Sequence, residues 1–153
     1  MLRNLLTGLP VILLCLVLQA VFLSTTLRAY ARLRLNRVGL DTTWVNIVLL
    51  STVMLLMLLS NFAQMVIWAG LFLAIGEFDD ITTALYHSGV NFVTLGYGDI
   101  VMSPRWRLLG PLEAANGILM FGVSTSVMTA AVMDIIKYAT SALKRHDTPG
   151  AGP

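Results

Sequence analysis

Residues 9–27 form a nearly unbroken apolar run, with Gln19 its one strongly polar member. That length suits the roughly 20 residues a helix needs to cross a bilayer. A polar connector carrying Arg28, Arg32, Arg34 and Arg37 follows and ends near Thr43. A second apolar run covers 45–75 and as a helix would measure about 46 Å. The hydrocarbon core is about 30 Å thick, so this helix must tilt or project beyond one face. An acidic turn containing Glu77, Asp79 and Asp80 then leads into a shorter apolar stretch over 84–93. About ten residues are too few to span and suit a re-entrant or interfacial helix. Asp79, Asp80 and Thr82 at its start are the composition of a helix N-terminus. A last long run, with Pro111 near its beginning, reaches about Tyr138. The pattern predicts an all-α integral membrane protein with three transmembrane helices and one re-entrant helix. There is no internal repeat.

Composition agrees with lipid as the main solvent. Of 153 residues, 57% are hydrophobic and 12% charged, whereas soluble domains carry about a quarter charged residues. Three or four spans leave no room for a separate catalytic or ligand-binding domain. A net charge of +2 is too small to suggest nucleic acid. The lone Cys15 excludes an intrachain disulfide and reads as a small packing residue.

Charge position is more informative than charge total. Arg28, Arg32, Arg34 and Arg37 lie between the first two spans, and Lys137, Lys144 and Arg145 lie at the end of the third. The other face has only Arg3, Arg105 and Arg107. Positive residues collect on the cytoplasmic side, which predicts an outer N-terminus, an outer 76–107 segment and a cytoplasmic C-terminus in a cell membrane. A competing reading makes 1–31 a cleaved signal peptide ending in Ala29-Tyr30-Ala31. The run is long for that, and cleavage would leave part of the arginine connector outside.

Between the re-entrant stretch and the last span lies Asn91-Phe92-Val93-Thr94-Leu95-Gly96-Tyr97-Gly98-Asp99. Irregular backbone at membrane depth is tolerated only when buried in protein or lining a watery path. Glycines at such a place let the backbone take angles other residues resist. Several copies facing one another would present columns of carbonyl oxygens, suitable ligands for a hard cation that sheds its water. Thr94 to Asp99 resembles the Thr-Val-Gly-Tyr-Gly-Asp filter of the tetrameric potassium channels, with Leu95 in place of Val.

The resemblance covers 45–140, a span–pore loop–span unit. It implies a first segment, 1–43, with an extra helix and basic connector, and a pore domain over 44–140. Within that domain it implies an outer helix over 45–76, a pore helix over 80–93, a filter over 94–99 and an inner helix over 108–139. The tail, 141–153, is polar, rich in Pro and Gly, and expected to be disordered. Four chains would surround one central pore. The carbonyls of Thr94, Leu95, Gly96 and Tyr97 would line the column, with the Thr94 hydroxyl as its innermost ring and Gly98 supplying flexibility. The Leu95 side chain is expected to point into surrounding protein. Asp99 would brace the outer filter, and Tyr86 stands where an aromatic often does the same. Some family members place a carboxylate behind the filter where this chain has Val90, so that support is missing here. Potassium is the permeant ion; no cofactor and no soluble substrate are implied.

The remaining features have plainer readings beside functional ones. The irregularly spaced arginines fit topology and contact with anionic head groups better than voltage sensing. Gly117 and Gly122 are explained either by helix packing or by bending, and the resemblance points to Gly122, then Gly117, as a gating hinge. Ser124, Thr125 and Thr129 face a wet cavity or bond their own helix. Glu113 needs a partner if it is buried in the membrane, or else reaches the interface. Asn61 and Gln64 are expected to bond neighbouring helices, and His87 to be packed and hydrogen-bonded or to sense pH. The rival functions are a non-selective cation pore and a non-conducting scaffold or regulatory subunit. No triad or metal cluster points to an enzyme.

Overall fold

The structure, a computed structural model, describes residues 1–35 and 42–146. Four helices follow one another: α1 (Leu2–Leu35), α2 (Thr42–Ala74), α3 (Ile81–Phe92) and α4 (Leu109–His146). α1, most of α2 and the first 30 residues of α4 are long and apolar enough to cross a membrane, while α3 has 12 residues.

Several boundaries differ from the sequence reading. Arg28, Arg32 and Arg34, assigned to a polar connector, lie on the last turns of α1. Arginine is a good helix former, and nothing in that stretch breaks the helix. Arg37 lies outside the described residues. α4, expected to end at 139, continues to His146, because Ala142-Leu143-Lys144-Arg145 favours helix and the next proline is Pro149. Of the expected tail, 147–153 lies outside the described residues.

The end of α2 is set by Gly76, whose φ of 69° is left-handed. The Gly76 amide donates to the Leu73 carbonyl and the Glu77 amide to the Phe72 carbonyl, both at 3.0 Å. This paired closure satisfies the last carbonyls of the helix and reverses the chain. α3 starts at Ile81, five residues after Gly76, capped by Asp80, whose carboxylate accepts from the Thr83 amide at 2.9 Å. That bond holds the Asp80 carboxyl below the usual carboxylate range.

α2 and α4 form the middle of the molecule. α1 packs against both on one side and α3 packs against both elsewhere. At the level of α3 the core comprises Cys15, Trp68, Phe72, Ala84, Phe92, Leu109 and Met120. Farther along, Gln19 of α1 joins α2 and α4. Its Oε1 accepts from Ser60 Oγ at 2.6 Å and Gln64 Nε2 at 2.9 Å, and its Nε2 faces Ser124 Oγ at 3.4 Å. At the far end Arg34 pairs with Asp134, which also accepts from the Tyr30 hydroxyl at 2.6 Å.

These contacts fix relative sidedness. Asn4 Nδ2 donates to the Arg105 carbonyl at 3.1 Å, and the Arg3 guanidinium lies 4.4 Å from the Trp106 ring centre. The start of α1 and the loop before α4 therefore share one face, while Arg34, Asp134 and Tyr138 share the other.

The two inner glycines are physically different. A Cβ on Gly117 would come 1.9 Å from the Phe92 carbonyl oxygen, so α4 lies directly against the end of α3. Nothing lies within 4 Å of a Cβ on Gly122, which borders an apolar groove between α1 and α4. Gly117→Ala is expected to destabilise the fold by about 1–3 kcal/mol through overpacking. Gly122→Ala should be neutral or more stable by up to about 1 kcal/mol, from helix propensity. Melting temperatures of the two variants in detergent check the contrast.

Candidate functional site: the glycine segment after the third helix

α3 ends at Phe92, and its last turn tightens into the segment that follows. The Val93 amide donates to the Gly89 carbonyl at 3.1 Å and the Thr94 amide to that of Asn91 at 2.9 Å. The Val90 carbonyl then accepts from the Leu95 amide at 2.9 Å and the Gly96 amide at 3.4 Å. Val90 thus contributes its backbone, where the sequence comparison considered only its side chain. Along Thr94–Gly98 no carbonyl accepts a hydrogen bond among the described residues. Backbone oxygens are obligatory acceptors, so such a row has to be served by water or by a ligand.

The backbone here alternates in hand. Thr94, Gly96 and Gly98 have φ of 62°, 56° and 75°, whereas Leu95 and Tyr97 have no positive φ. Glycine takes the left-handed region freely. Thr94 is β-branched and unfavourable there, a local strain that residue type alone does not reveal. Alternation of this kind turns successive carbonyls toward one side, where an ordinary strand points them alternately both ways.

Side chains on α3 hold the far end of the segment. The Tyr86 hydroxyl donates to Asp99 Oδ2 at 2.6 Å, and the Ile100 amide to Asp99 Oδ1 at 3.0 Å. The Tyr86 bond holds the Asp99 carboxyl below the usual carboxylate range, and the same bond pushes the Tyr86 hydroxyl up. His87 lies 3.1 Å by Nδ1 from the Ile100 carbonyl and 2.7 Å by Nε2 from Asn91 Nδ2. Neutral imidazole satisfies both contacts when Nδ1 donates and Nε2 accepts. A crevice of about 470 Å³ beside the segment is lined by His87, Asn91, Gly96, Gly98 and Arg107. Glu77 accepts from both the amide and, at 2.9 Å, the hydroxyl of Ser103, tying the loop before α4 to the end of α2.

The other candidates divide. Leu95 was expected to face protein, but within one chain it is 55% exposed, and Tyr97 is 66% exposed. Thr125 and Thr129 are exposed on α4, with the Thr129 hydroxyl donating to the Thr125 carbonyl at 2.9 Å. Ser124, grouped with them as cavity lining, is buried against α1 and α2 beside Gln19 and Asn61. Its neighbours in the turn point elsewhere because successive helical residues are rotated by about 100°. Glu113 does not reach an interface: it is fully buried and contacts Ser88 of α3. Asn91 and Ser88 escaped the sequence reading, since one polar residue in a short helix does not reveal its partner. No group of three His, Cys, Asp or Glu side chains able to hold a metal occurs among the described residues.

The Asp99 carboxyl titrates below its unfolded value of about 3.9. The stabilisation from its bonds is therefore present above that pH and lost as pH falls through the folded value. Tyr86→Phe removes the main donor, so the Asp99 titration should move up toward the ordinary range. Carboxyl-carbon NMR of labelled aspartate measures the shift, with the wild-type protein as reference.

Residues 44–134 match the model of a family described as ion channel. No curated protein and no solved structure matches the chain significantly. Passive ion conduction, not catalysis, is the activity of such a family. The match covers more than half of the chain and takes in two of its three membrane-length helices. This membrane protein therefore belongs to the ion-channel family.

Proposed function

We propose that the chain is one quarter of a potassium-selective channel whose filter is Thr94–Gly98. The observation that carries the reading is the row of unbonded carbonyls on a backbone of alternating hand. In the proposed assembly four such rows surround the axis. Carbonyls of Thr94, Leu95, Gly96 and Tyr97 replace the hydration shell of the ion, with the Thr94 hydroxyl innermost. α3 acts as a re-entrant pore helix, its partly negative C-terminal end directed at the ion path. Ions move in single file down their electrochemical gradient, each repelling the next.

Assembly also accounts for the exposed side chains. Leu95 and Tyr97 stand open within one chain, as do Ile118, Leu119 and Phe121 of α4. Neighbouring copies would cover such a surface, and closed fourfold symmetry brings identical segments together on an axis. Asp99, held by Tyr86, keeps the outer end in place. Gly122, with open space around it, is the better hinge candidate, since Gly117 is committed to contact with Phe92. Thr125 and Thr129 remain candidates for the cavity wall.

The arginine distribution supports an outer N-terminus and cytoplasmic ends for α1 and α4. In that orientation exposed Arg28 and Arg32 meet anionic head groups, while Arg34 is engaged by Asp134 and by the Tyr138 ring at 4.9 Å.

Gly96→Ala forces an L side chain into a left-handed position at a cost of roughly 1–2 kcal/mol in every copy. In reconstituted vesicles this variant should still insert and assemble as a tetramer, yet lose potassium-over-sodium flux. Unchanged selectivity in the variant would refute the filter assignment. A monomeric mass for the wild-type protein in mild detergent would favour a scaffold instead.

A further inference from the structure

A proton count at one buried contact assigns a charge state to Glu113. Ser88 Oγ lies 2.8 Å from the Met65 carbonyl oxygen of α2 and in close contact with Glu113 Oε1 of α4. A serine hydroxyl has one proton to give. The Met65 carbonyl can only accept, so a proton must lie between it and Ser88, and the serine proton is thereby used. The contact between Ser88 and Glu113 then needs a second proton. Only Glu113 can supply it.

The opposite assignment fails on the same geometry. If Ser88 donated to an ionised Glu113, two acceptor oxygens would face each other at 2.8 Å with nothing between them. The carboxylate would also be fully buried with one hydrogen bond, and its Oε2 has no partner. Burying an ionised carboxylate that way is far more costly than burying a neutral acid. The groups around the pair do not compensate a charge. They are Cys15 from α1, the Met65 carbonyl from α2, Ser88 from α3, and Asn116 one turn along α4. His87, next to Ser88 in sequence, is directed at Ile100 and Asn91 instead.

We infer that Glu113 is a neutral carboxylic acid at neutral pH and a positioning residue for α3. Its proton completes a relay from the Glu113 hydroxyl to the Ser88 hydroxyl to the Met65 carbonyl. This relay clamps α3 between α2 and α4, four residues before the backbone contact of Phe92 with Gly117. The effect on permeation rests on the filter reading above; the charge state does not.

The inference is tested by infrared spectroscopy of the full chain in lipid vesicles, with flux measured in parallel. At neutral pH a protonated-acid carbonyl band should be present and should vanish in Glu113→Gln. Absence of the band in the wild-type protein, or its persistence in Glu113→Gln, overturns the assignment. Ser88→Ala, which keeps Glu113 but removes its acceptor, should shift the band and serves if Glu113→Gln fails to fold; an unshifted band there also counts against the relay. In flux, glutamine still donates to Ser88, so Glu113→Gln should keep potassium-over-sodium preference within about twofold. Glu113→Ala should lose most of it. Equal loss in both variants would mean a negative charge is needed and would overturn the positioning role. If the wild-type protein conducts nothing, the filter reading falls while the band still decides the charge state.

Discussion

The rest of the structure depends on a contact in which no side chain intervenes. At Gly117 the inner face of α4 meets the Phe92 carbonyl so closely that a methyl group would overlap it. Interiors pack at near-crystalline density, so a contact of this kind fixes position and does not merely favour it. It sets where α3 stops relative to α4. The segment beginning at Thr94 takes its starting point from there. Its other end is fixed by Tyr86 and Asp99, again from α3. Between these two fixed ends the backbone runs with alternating hand and its carbonyls unpaired.

Around that contact, polar groups do work that the hydrophobic effect cannot do in lipid. Hydrocarbon solvates leucine as well as another helix does, so helices associate through close packing and hydrogen bonds. The chain places such bonds at three depths. Ser88 and Glu113 join α3 to α4 and α2 near the glycine segment. Gln19 joins α1 to α2 and α4 farther down, and Arg34 with Tyr30 joins α1 to Asp134 at the far end. Interhelical bonds in membranes average roughly 0.6 kcal/mol each, so their value lies in fixing register more than in bulk stability. α1, whose role the family resemblance does not supply, is thereby fastened to α4 at two levels, Ser124 and Asp134, both on the C-terminal side of Gly122.

What was legible in the sequence followed from local rules. Apolar length marked the three long helices, and shortness together with the acids at 79–80 marked α3. The Thr-Leu-Gly-Tyr-Gly-Asp string marked the segment whose backbone proved unusual. What escaped reading depends on elements far apart in sequence. The end of α1 at Leu35 was misjudged because charge was taken as a sign of connector, and that of α4 at His146 because the stretch from 141 was read as a polar, Pro- and Gly-rich tail, although arginine and lysine continue a helix readily. Ser124 could not be separated from Thr125 and Thr129 without knowing which face of α4 meets α1 and α2. Glu113 could not be placed until Ser88 was seen across from it. Leu95 and Tyr97 are open in one chain, and only the proposed assembly would cover them.

The central claim is that the carbonyl row selects potassium. Its most direct test is the reversal potential of currents through the purified protein in a planar bilayer, with potassium on one side and sodium on the other. The account predicts a reversal potential close to the potassium limit, with current carried almost wholly from the potassium side. A reversal potential near zero under those gradients, or bilayers that stay silent with assembled protein present, would contradict it.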